Sequence, residues 1–153
     1  MAVDLASPLL ILTALLLLHP SIQAKEIQYC DKKGDYAVEV KGVEMSPDPV
    51  VRGKPATFSI SASTDEAISG GKVVIEVSYF GAHIHTETHD LCGKTPCPIA
   101  TGDFVLSHTQ SLPGFTPPGS YRLKMKMVDG TGHQLTCISF GFNIRAGSSI
   151  ADS

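Results

Sequence analysis

The segment FGAHIHTETHDLCGKTPCPI, residues 80–99, concentrates the side chains of this chain that are most capable of chemistry. Imidazole nitrogens and cysteine thiolates are ligands that zinc prefers in proteins. The segment holds five such side chains, His83, His85, His89, Cys92 and Cys97. Their spacing raises two hypotheses: a metal site, or a disulfide-closed loop with histidines exposed beside it.

The histidine spacing alone is weak evidence for a metal. Alternate residues of a strand share a face, so His83 and His85 can lie together, but a zinc site needs further ligands and outer contacts. The H-x-H-x3-H pattern is similar to the first motif of metal-binding cupin barrels. The second cupin motif, a histidine after a Pro-Gly turn, does not follow Pro118-Gly119. We therefore predict exposed histidines and no metal or other cofactor, with a cupin-like metalloenzyme as the alternative.

The amino-terminal residues are typical of a secretory signal peptide. Leu9 to Leu18 is an apolar run shorter than the about 20 residues that cross a bilayer. Small Ala24 precedes a charged residue, so we predict removal of residues 1–24, one domain at residues 25–145 and a flexible tail at residues 146–153. The protein is expected in the secretory pathway, either outside the cell or in a vacuolar or endomembrane lumen. A membrane anchor is the alternative.

All four cysteines follow this signal sequence. An even number in a secreted chain indicates disulfides, and four cysteines allow three pairings. Cys92 and Cys97 are close enough to form a small loop, which leaves Cys30 to pair with Cys137. With the cysteines oxidised, no thiolate remains for a metal.

Charge and motifs argue against several function classes. The formal net charge of −3 gives no overall attraction to nucleic acid. The chain contains no G-x-S-x-G elbow, and its carboxylates are scattered rather than paired. We predict a protein that is not an enzyme and does not bind nucleic acid.

Alternation of apolar and polar residues, the pattern of half-buried strands, recurs along the chain. The alternating segments are Thr57–Ser63, Lys72–Phe80, Ser120–Asp129 and Thr136–Ile144, with weaker ones at Tyr36–Met45 and Asp103–His108. Loops rich in proline and glycine separate them, and none has a helical period. We predict an all-β sandwich of six or seven short strands.

The apolar faces of these strands allow two interpretations. Composition favours a filled core, because buried apolar faces usually pack against one another. The alternative is an apolar cavity between the sheets. Met125 and Met127 fit both, since flexible thioether side chains adapt to a core or to a pocket.

Three stretches carry a resemblance to a known family. They are YCDKKGDYAVEVKGVEMSPDPVVRGKPATFSISAS, LCGKTPCPI and GHQLTCISFGFNI. Their most specific elements are Cys30-Asp31, the S-P-x-P turn at Ser46–Pro49, the C-x4-C-P-I loop at Cys92–Ile99, and Cys137. The chain resembles the ML-domain lipid-recognition family, especially its plant members. That family includes the Niemann-Pick type C sterol-transfer protein and phosphatidylglycerol/phosphatidylinositol transfer proteins.

The resemblance implies an immunoglobulin-like β-sandwich of about seven antiparallel strands, with an apolar cavity for one lipid between splayed sheets. It implies the same disulfides, Cys30–Cys137 and Cys92–Cys97. The histidine segment is expected at the cavity mouth, as the end of a long strand, with Phe115 as an aromatic lid. The residues expected to line the pocket are Phe58, Ile60, Val73, Ile75, Val77, Tyr79, Ile84, Phe104, Leu106, Phe115, Tyr121, Leu123, Met125, Met127, Ile138, Phe140 and Phe142.

The function implied by the resemblance is the carriage of single lipids between membranes by a monomer that contacts the membrane transiently. The lipid is phosphatidylglycerol/phosphatidylinositol or a sterol. The phospholipid is favoured, because the extra cysteine pair of the sterol branch is missing around Ser46–Pro49. The alternative is a module that presents lipid to a receptor in signalling or defence, without transfer.

The same resemblance suggests how a headgroup is held. An anionic phosphate is expected near Lys94, His83, His85 or His89. Ile84 is expected to point away from the two histidines beside it. Protonation of the histidines in an acidic compartment is hypothesised to alter lipid loading.

Overall fold

The computed structural model describes residues 23–147. The predicted signal peptide up to Ile22 and residues 148–153 of the predicted tail lie outside this range. The strands are β1 (Gln23–Ala24), β2 (Gln28–Tyr29), β3 (Val38–Ser46), β4 (Val50–Val51), β5 (Pro55–Thr64), β6 (Gly71–Tyr79), β7 (Ala82–Asp90), β8 (Gly102–Ser111), β9 (Gly119–Asp129) and β10 (Gln134–Arg145). Seven of them have nine or more residues.

The strands form two sheets that enclose one apolar core. One sheet has the order β1-β3-β5-β8, and the other has the order β2-β10-β9-β6-β7 with β4 beside β10. Within the described residues, every pair is antiparallel except β4 with β10. The predicted all-β sandwich with about seven antiparallel strands is thereby confirmed. Residues 23–147 contain no helix long and apolar enough to cross a membrane.

Alternating burial explains why these segments are strands. In β9, Tyr121, Leu123, Met125 and Met127 are buried, whereas the residues between them are more exposed. Successive side chains of a strand point to opposite faces, so one apolar face per strand leaves water when the sheets pack. The alternation in the sequence therefore predicts which side of each long strand forms the interior.

The histidine segment is a separate strand, not the end of a long one as expected. β6 ends at Tyr79 and β7 begins at Ala82, because a two-residue turn reverses the chain. Phe80 and Gly81 have φ angles of 49° and 80°, as in a type I′ hairpin. Phenylalanine at the first turn position lacks the Asn-Gly or Asp-Gly pattern typical of such hairpins. β7 is consequently an edge strand, next to β6.

Both disulfides lie toward the same end of the sandwich. Cys30 is bonded to Cys137 of β10, and Cys92 is bonded to Cys97 in the loop that follows β7. These are the pairs implied by the spacing and by the resemblance. Together they join the start of the domain to its last strand and close the loop between β7 and β8.

The interior divides into two halves along the strand direction. In the half that carries the disulfides, which we call the filled half, many apolar side chains are at most 4% exposed. They include Val38, Ile68, Val73, Leu91, Ile99, Met127 and Leu135. The opposite half, which we call the open half, contains the β6–β7 turn and the loop at residues 112–118. Its buried side chains border a cavity.

Candidate functional site

The open half contains an apolar cavity of about 340 Å³. This volume lies in the range of about 300–1,000 Å³ that is typical of small-molecule sites. Strands of both sheets and the loop at residues 112–118 form its walls. The lining residues are Val50, Ala56, Phe58, Ile75, Val77, Ile84, His85, Glu87, His108, Gln110, Ser111, Leu112, Pro113, Thr116, Tyr121, Leu123, Phe142 and Ile144.

The residues expected to line a pocket divide into two groups. Those that line the cavity are Phe58, Ile75, Val77, Ile84, Tyr121, Leu123 and Phe142. Those outside its lining are Ile60, Val73, Tyr79, Phe104, Leu106, Phe115, Met125, Met127, Ile138 and Phe140. Several of the second group are on the expected inward face but farther along the strands, where they are enclosed by other side chains. Phe140 and Met127, for example, are fully buried in the apolar core.

Several lining residues are absent from the set that the sequence predicts. Val50 belongs to the proline-rich turn, yet it forms part of β4 beside β10 and is fully buried. His108 and Gln110 continue the inward alternation of Phe104 and Leu106 in β8. Extending that period past Leu106 would have identified them.

Two tyrosine hydroxyls attach the loop at residues 112–118 to the cavity wall. Tyr121 Oη donates to the Pro117 carbonyl at 2.6 Å, and Tyr79 Oη donates to the Pro118 carbonyl at 3.0 Å. The two tyrosine rings stack with centroids 4.6 Å apart. Burial, and to a lesser extent Tyr79, raises the pKa of the Tyr121 hydroxyl, which therefore stays protonated as a donor.

Three large apolar side chains are exposed around the cavity. Phe80, Ile84 and Phe115 are 78%, 52% and 85% exposed. Phe80 packs edge-on against Tyr79, whose hydroxyl reaches the loop that carries Phe115. Phe115, the expected lid, faces solvent and does not line the cavity. Because grouped apolar side chains on a surface indicate a contact site, we call these three residues the apolar rim.

A β-bulge in β7 turns two successive residues toward the cavity. Val77 of β6 pairs with His85 and the next residue of β6 pairs with His83, so Ile84 is the extra residue. Ile84 and His85 both line the cavity, whereas simple alternation predicts opposite directions for them. The His83 imidazole is exposed and hydrogen-bonded to Thr86, with 2.6 Å between Nε2 and Oγ1.

Polar side chains meet beside the cavity where β7 and β8 are both sheet edges. His89 Nε2 lies 3.8 Å from Glu87 Oε1, and the ring centroids of His89 and His108 are 4.8 Å apart. With its amide nitrogen turned toward these groups, Gln110 donates to the Glu87 oxygens at 3.2 and 3.1 Å and to His108 Nε2 at 3.1 Å. We call Glu87, His89, His108 and Gln110 the polar cluster.

His108 is the most enclosed member of the polar cluster, at 4% exposed. Burial lowers the pKa of its imidazole, and the charge of Lys94 lowers it further. The ring is therefore neutral at neutral pH. Its Nδ1 atom, like Nε2 of His89, is buried without a hydrogen-bond partner.

Within residues 23–147, two groups of side chains have donor atoms close enough to hold a metal ion. One is Glu87, His89 and His108 of the polar cluster, and the other is Glu66, Asp129 and His133. In the second group, the Asp129 carboxylate already accepts hydrogen bonds from Thr131 and from the His133 N–H. The polar cluster, in contrast, has unpartnered nitrogens.

The cavity suits an apolar molecule with few hydrogen-bonding groups. Its lining is mainly aliphatic and aromatic, and Glu87 is the one lining carboxylate, with no lysine or arginine among the lining residues. A bare anion inside would face this carboxylate without a compensating cation, which is costly. Of the residues expected near a headgroup, His85 lines the cavity, whereas His83, His89 and Lys94 do not.

Comparison with known proteins relates this architecture to one family. The profile of the ML domain matches residues 24–144. The MD-2-related lipid-recognition protein ROSY1 of Arabidopsis thaliana is 34% identical over 119 residues, covering 76% of this chain and 72% of that protein. A phosphatidylglycerol/phosphatidylinositol transfer protein of Aspergillus oryzae is 30% identical over 118 residues, covering 73% of this chain and 67% of the fungal protein.

Solved structures share the sandwich fold. A Niemann-Pick type C2 protein from Japanese carpenter ant matches with a TM-score of 0.64 at 13% identity, covering 78% of this chain and 99% of the ant protein. Chicken MD-1, crystallised with lipid IVa, matches with a TM-score of 0.50 at 17% identity, covering 82% of this chain and 92% of MD-1. At such identities the likeness concerns the fold alone.

Proposed function

Because the chain belongs to the ML-domain family, we propose that it binds one lipid in the cavity of the open half and carries it between membranes. The observation that carries this proposal is the apolar cavity of about 340 Å³ between the two sheets. The names of its relatives, a phosphatidylglycerol/phosphatidylinositol transfer protein and a lipid-recognition protein, support the same class of ligand. This function needs no covalent step.

The hydrophobic effect keeps the lipid tail inside the cavity rather than in water. Each methylene group that leaves water for an apolar site gains about 0.8 kcal/mol. Side chains such as Val77, Leu123 and Phe142 offer that environment inside the sandwich. A lipid tail enclosed there is shielded from water, so a single lipid can leave its bilayer.

The headgroup is proposed to stay at the cavity mouth. Arg52 Nη1 lies 3.4 Å from the carbonyl of Thr116, a lining residue, and exposed Lys54 is close by in the chain. These cations suit an anionic phosphate, whereas the interior presents Glu87. This distribution of charge supports an anionic phospholipid over a sterol as the cargo.

The apolar rim is proposed to contact the membrane. Ile84 lines the cavity, and Phe80, Ile84 and Phe115 all expose apolar surface to solvent. Insertion of these side chains among lipid headgroups would bring the mouth to the bilayer and allow a tail to pass without crossing water. The predicted signal peptide and the two disulfides support a location in the secretory pathway.

Native mass spectrometry of the secreted protein, followed by organic extraction, tests the binding step. We expect one phospholipid per chain after incubation with mixed vesicles that contain phosphatidylglycerol, phosphatidylinositol and sterol. A chain with both disulfides intact that stays empty would contradict the proposal. A chain that takes up the sterol alone would contradict the proposed lipid class.

Transfer of fluorescent phosphatidylglycerol between vesicles tests the second step. We expect a Phe80→Ser/Phe115→Ser variant to bind lipid normally but to transfer it more slowly, because the rim no longer enters the bilayer. Val105→Ser is the matched control, since Val105 is also an exposed apolar residue, at 54%, but lies on the outer face of β8. Saturable binding without accelerated transfer by the unmodified protein would support the alternative of a lipid-presenting module.

A further inference from the structure

Three side chains of the polar cluster can act as metal ligands, and they come from two strands that belong to different sheets. Glu87 and His89 are alternate residues of β7 and share a face, and His108 occupies an inward position in β8. One donor atom from each lies within 4.8 Å of the others. Around a tetrahedral zinc ion with bonds of about 2.0–2.1 Å, neighbouring ligand atoms are about 3.4 Å apart. Small side-chain rotations would therefore bring these three donors to coordination distance.

Burial and missing partners distinguish this group from a chance surface cluster. His108 is 4% exposed, and its Nδ1 atom has no hydrogen-bond partner. His89 Nε2 is also buried without a partner. Buried polar atoms are normally paired, so two unpaired imidazole nitrogens beside a carboxylate indicate that a ligand belongs there.

We propose that Glu87, His89 and His108 bind a divalent transition-metal ion, zinc being the best fit, which links the edge strands β7 and β8. Two imidazoles and one carboxylate are an established zinc ligand set that leaves a fourth position for another ligand. Glu87 and His108 line the cavity, so the fourth position opens toward it. A water molecule or an oxygen atom of a bound molecule would occupy that position.

Outer contacts of the kind that zinc sites require are also present. With Nδ1 of His108 bound to the metal, its Nε2–H would donate to the side-chain oxygen of Gln110, 3.1 Å away, and this contact would orient the ligand. His85 Nε2 lies 3.7 Å from Glu87 Oε1. The H-x-H-x3-H motif therefore contributes one histidine ligand, His89. The second histidine ligand, His108, comes from β8.

The test uses the secreted protein, free of lipid, without a polyhistidine tag and stripped of metal by a chelator that is then removed. Zinc chloride is titrated by isothermal calorimetry at neutral pH, and thermal unfolding is recorded with and without zinc. We expect one zinc ion per chain and a higher Tm with zinc, because the ion joins the edges of two sheets.

Variants assign the site. His89→Gln and His108→Gln should each weaken zinc binding by more than about 100-fold and remove the rise in Tm, whereas Gln110→Leu should weaken binding by about 10–100-fold. His83→Gln is the matched control, because His83 is on the same strand but outside the cluster. His133→Gln removes the other candidate group, and it should leave zinc binding unchanged.

Absence of zinc binding to the unmodified protein would overturn the proposal. Zinc binding that His108→Gln leaves intact, or that His133→Gln abolishes, would do the same. Cobalt absorption spectra give an independent check that does not depend on how a variant folds. The unmodified protein should show the visible bands of tetrahedral cobalt, and the pale spectrum of octahedral cobalt would contradict the proposed ligand set.

Discussion

The filled half and the open half of the sandwich are built from the same strands, yet their inward side chains differ in what they contact. On β10, Phe140 is fully buried among other side chains, while Phe142, two residues farther, borders the cavity. On β9, Met127 belongs to the filled half and Leu123 to the cavity wall. A shift of one or two inward positions therefore separates residues that hold the sheets together from residues available to a ligand.

The two halves also differ in how their loops are held. Both disulfides belong to the filled half, whereas the loop at residues 112–118 of the open half is held by tyrosine hydroxyls. Covalent links and close packing restrict one half, and hydrogen bonds secure the other. The difference suggests that stability and ligand exchange can be changed separately, which the following substitutions examine.

The largest effect is expected from removal of the long-range disulfide. Cys30 and Cys137 are 107 residues apart, and closing such a loop stabilises the fold by about 4–5 kcal/mol in the chain-entropy model. The double substitution Cys30→Ala/Cys137→Ala should lower the free energy of unfolding by that amount in urea. The Cys92→Ala/Cys97→Ala variant, which opens a loop with a separation of 5, should lose only about 2 kcal/mol. Equal losses would show that loop length is not the governing quantity.

The second comparison replaces two phenylalanines of β10. Phe140→Ala should cost about 3–5 kcal/mol of unfolding free energy, because it creates a hole in close-packed surroundings. Phe142→Ala should cost less and should instead reduce lipid binding, because its ring already borders empty space. Urea unfolding of the lipid-free variants measures the first quantity, and lipid titration measures the second. If the two losses of stability were the same, the division into halves would be wrong.

A third experiment adds bulk to each half. Met125→Trp should lower the free energy of unfolding by about 1–3 kcal/mol. Met125 is only 1% exposed, so its surroundings leave no room for an indole ring. Val77→Trp should fill part of the cavity and weaken lipid binding by about tenfold or more, equivalent to about 1.4 kcal/mol, with a smaller loss of stability. Thermal unfolding of both variants measures the loss of stability, and lipid titration measures the loss of binding. Unimpaired binding by Val77→Trp would place the lipid elsewhere.

The smallest effect concerns the exposed turn between β9 and β10. The hydrogen bond from the Thr131 hydroxyl lowers the pKa of Asp129 below its ordinary 3.8. Hydrogen bonds from the backbone N–H groups of His133 and Thr131 lower it further, each with a smaller effect. The ionised carboxylate therefore contributes stability above about pH 4, and this contribution is lost as the pH falls through the lowered pKa. Asp129→Asn should remove that part of the acid sensitivity without changing lipid binding. Tyr121→Phe, a substitution at the open half, should leave the acid profile below pH 4 unchanged. An Asp129→Asn profile identical to that of the unmodified protein would contradict the assignment.

The fold and the inward faces of its strands could be predicted from the sequence, because period-2 alternation determines which side chains leave water. The position of the cavity along those faces could not. Tyr121, Leu123, Met125 and Met127 are equivalent by alternation, and only the separation between the facing sheets decides which of them meet an opposing side chain. That separation depends on contacts between residues distant in sequence.

The polar cluster escaped prediction for a related reason. The turn at Phe80 and Gly81 and the bulge at Ile84 set the register of β7, and neither has a clear sequence pattern. His108 lies 19 residues after His89, on the other sheet, so their contact arises from the packing of two edges. Spacing within one segment could suggest metal ligands there but could not identify a partner on β8.

The bulge in β7 also bears on how copies of this protein behave in concentrated solution. A regular edge strand offers unpaired N–H and carbonyl groups to which another chain can add a strand, the first step of aggregation. In β7 the extra residue Ile84 interrupts that regular template, and exposed polar residues such as Thr86 and Thr88 follow it. We therefore expect the irregularity that turns an apolar side chain toward the cavity also to oppose self-association at the free edge.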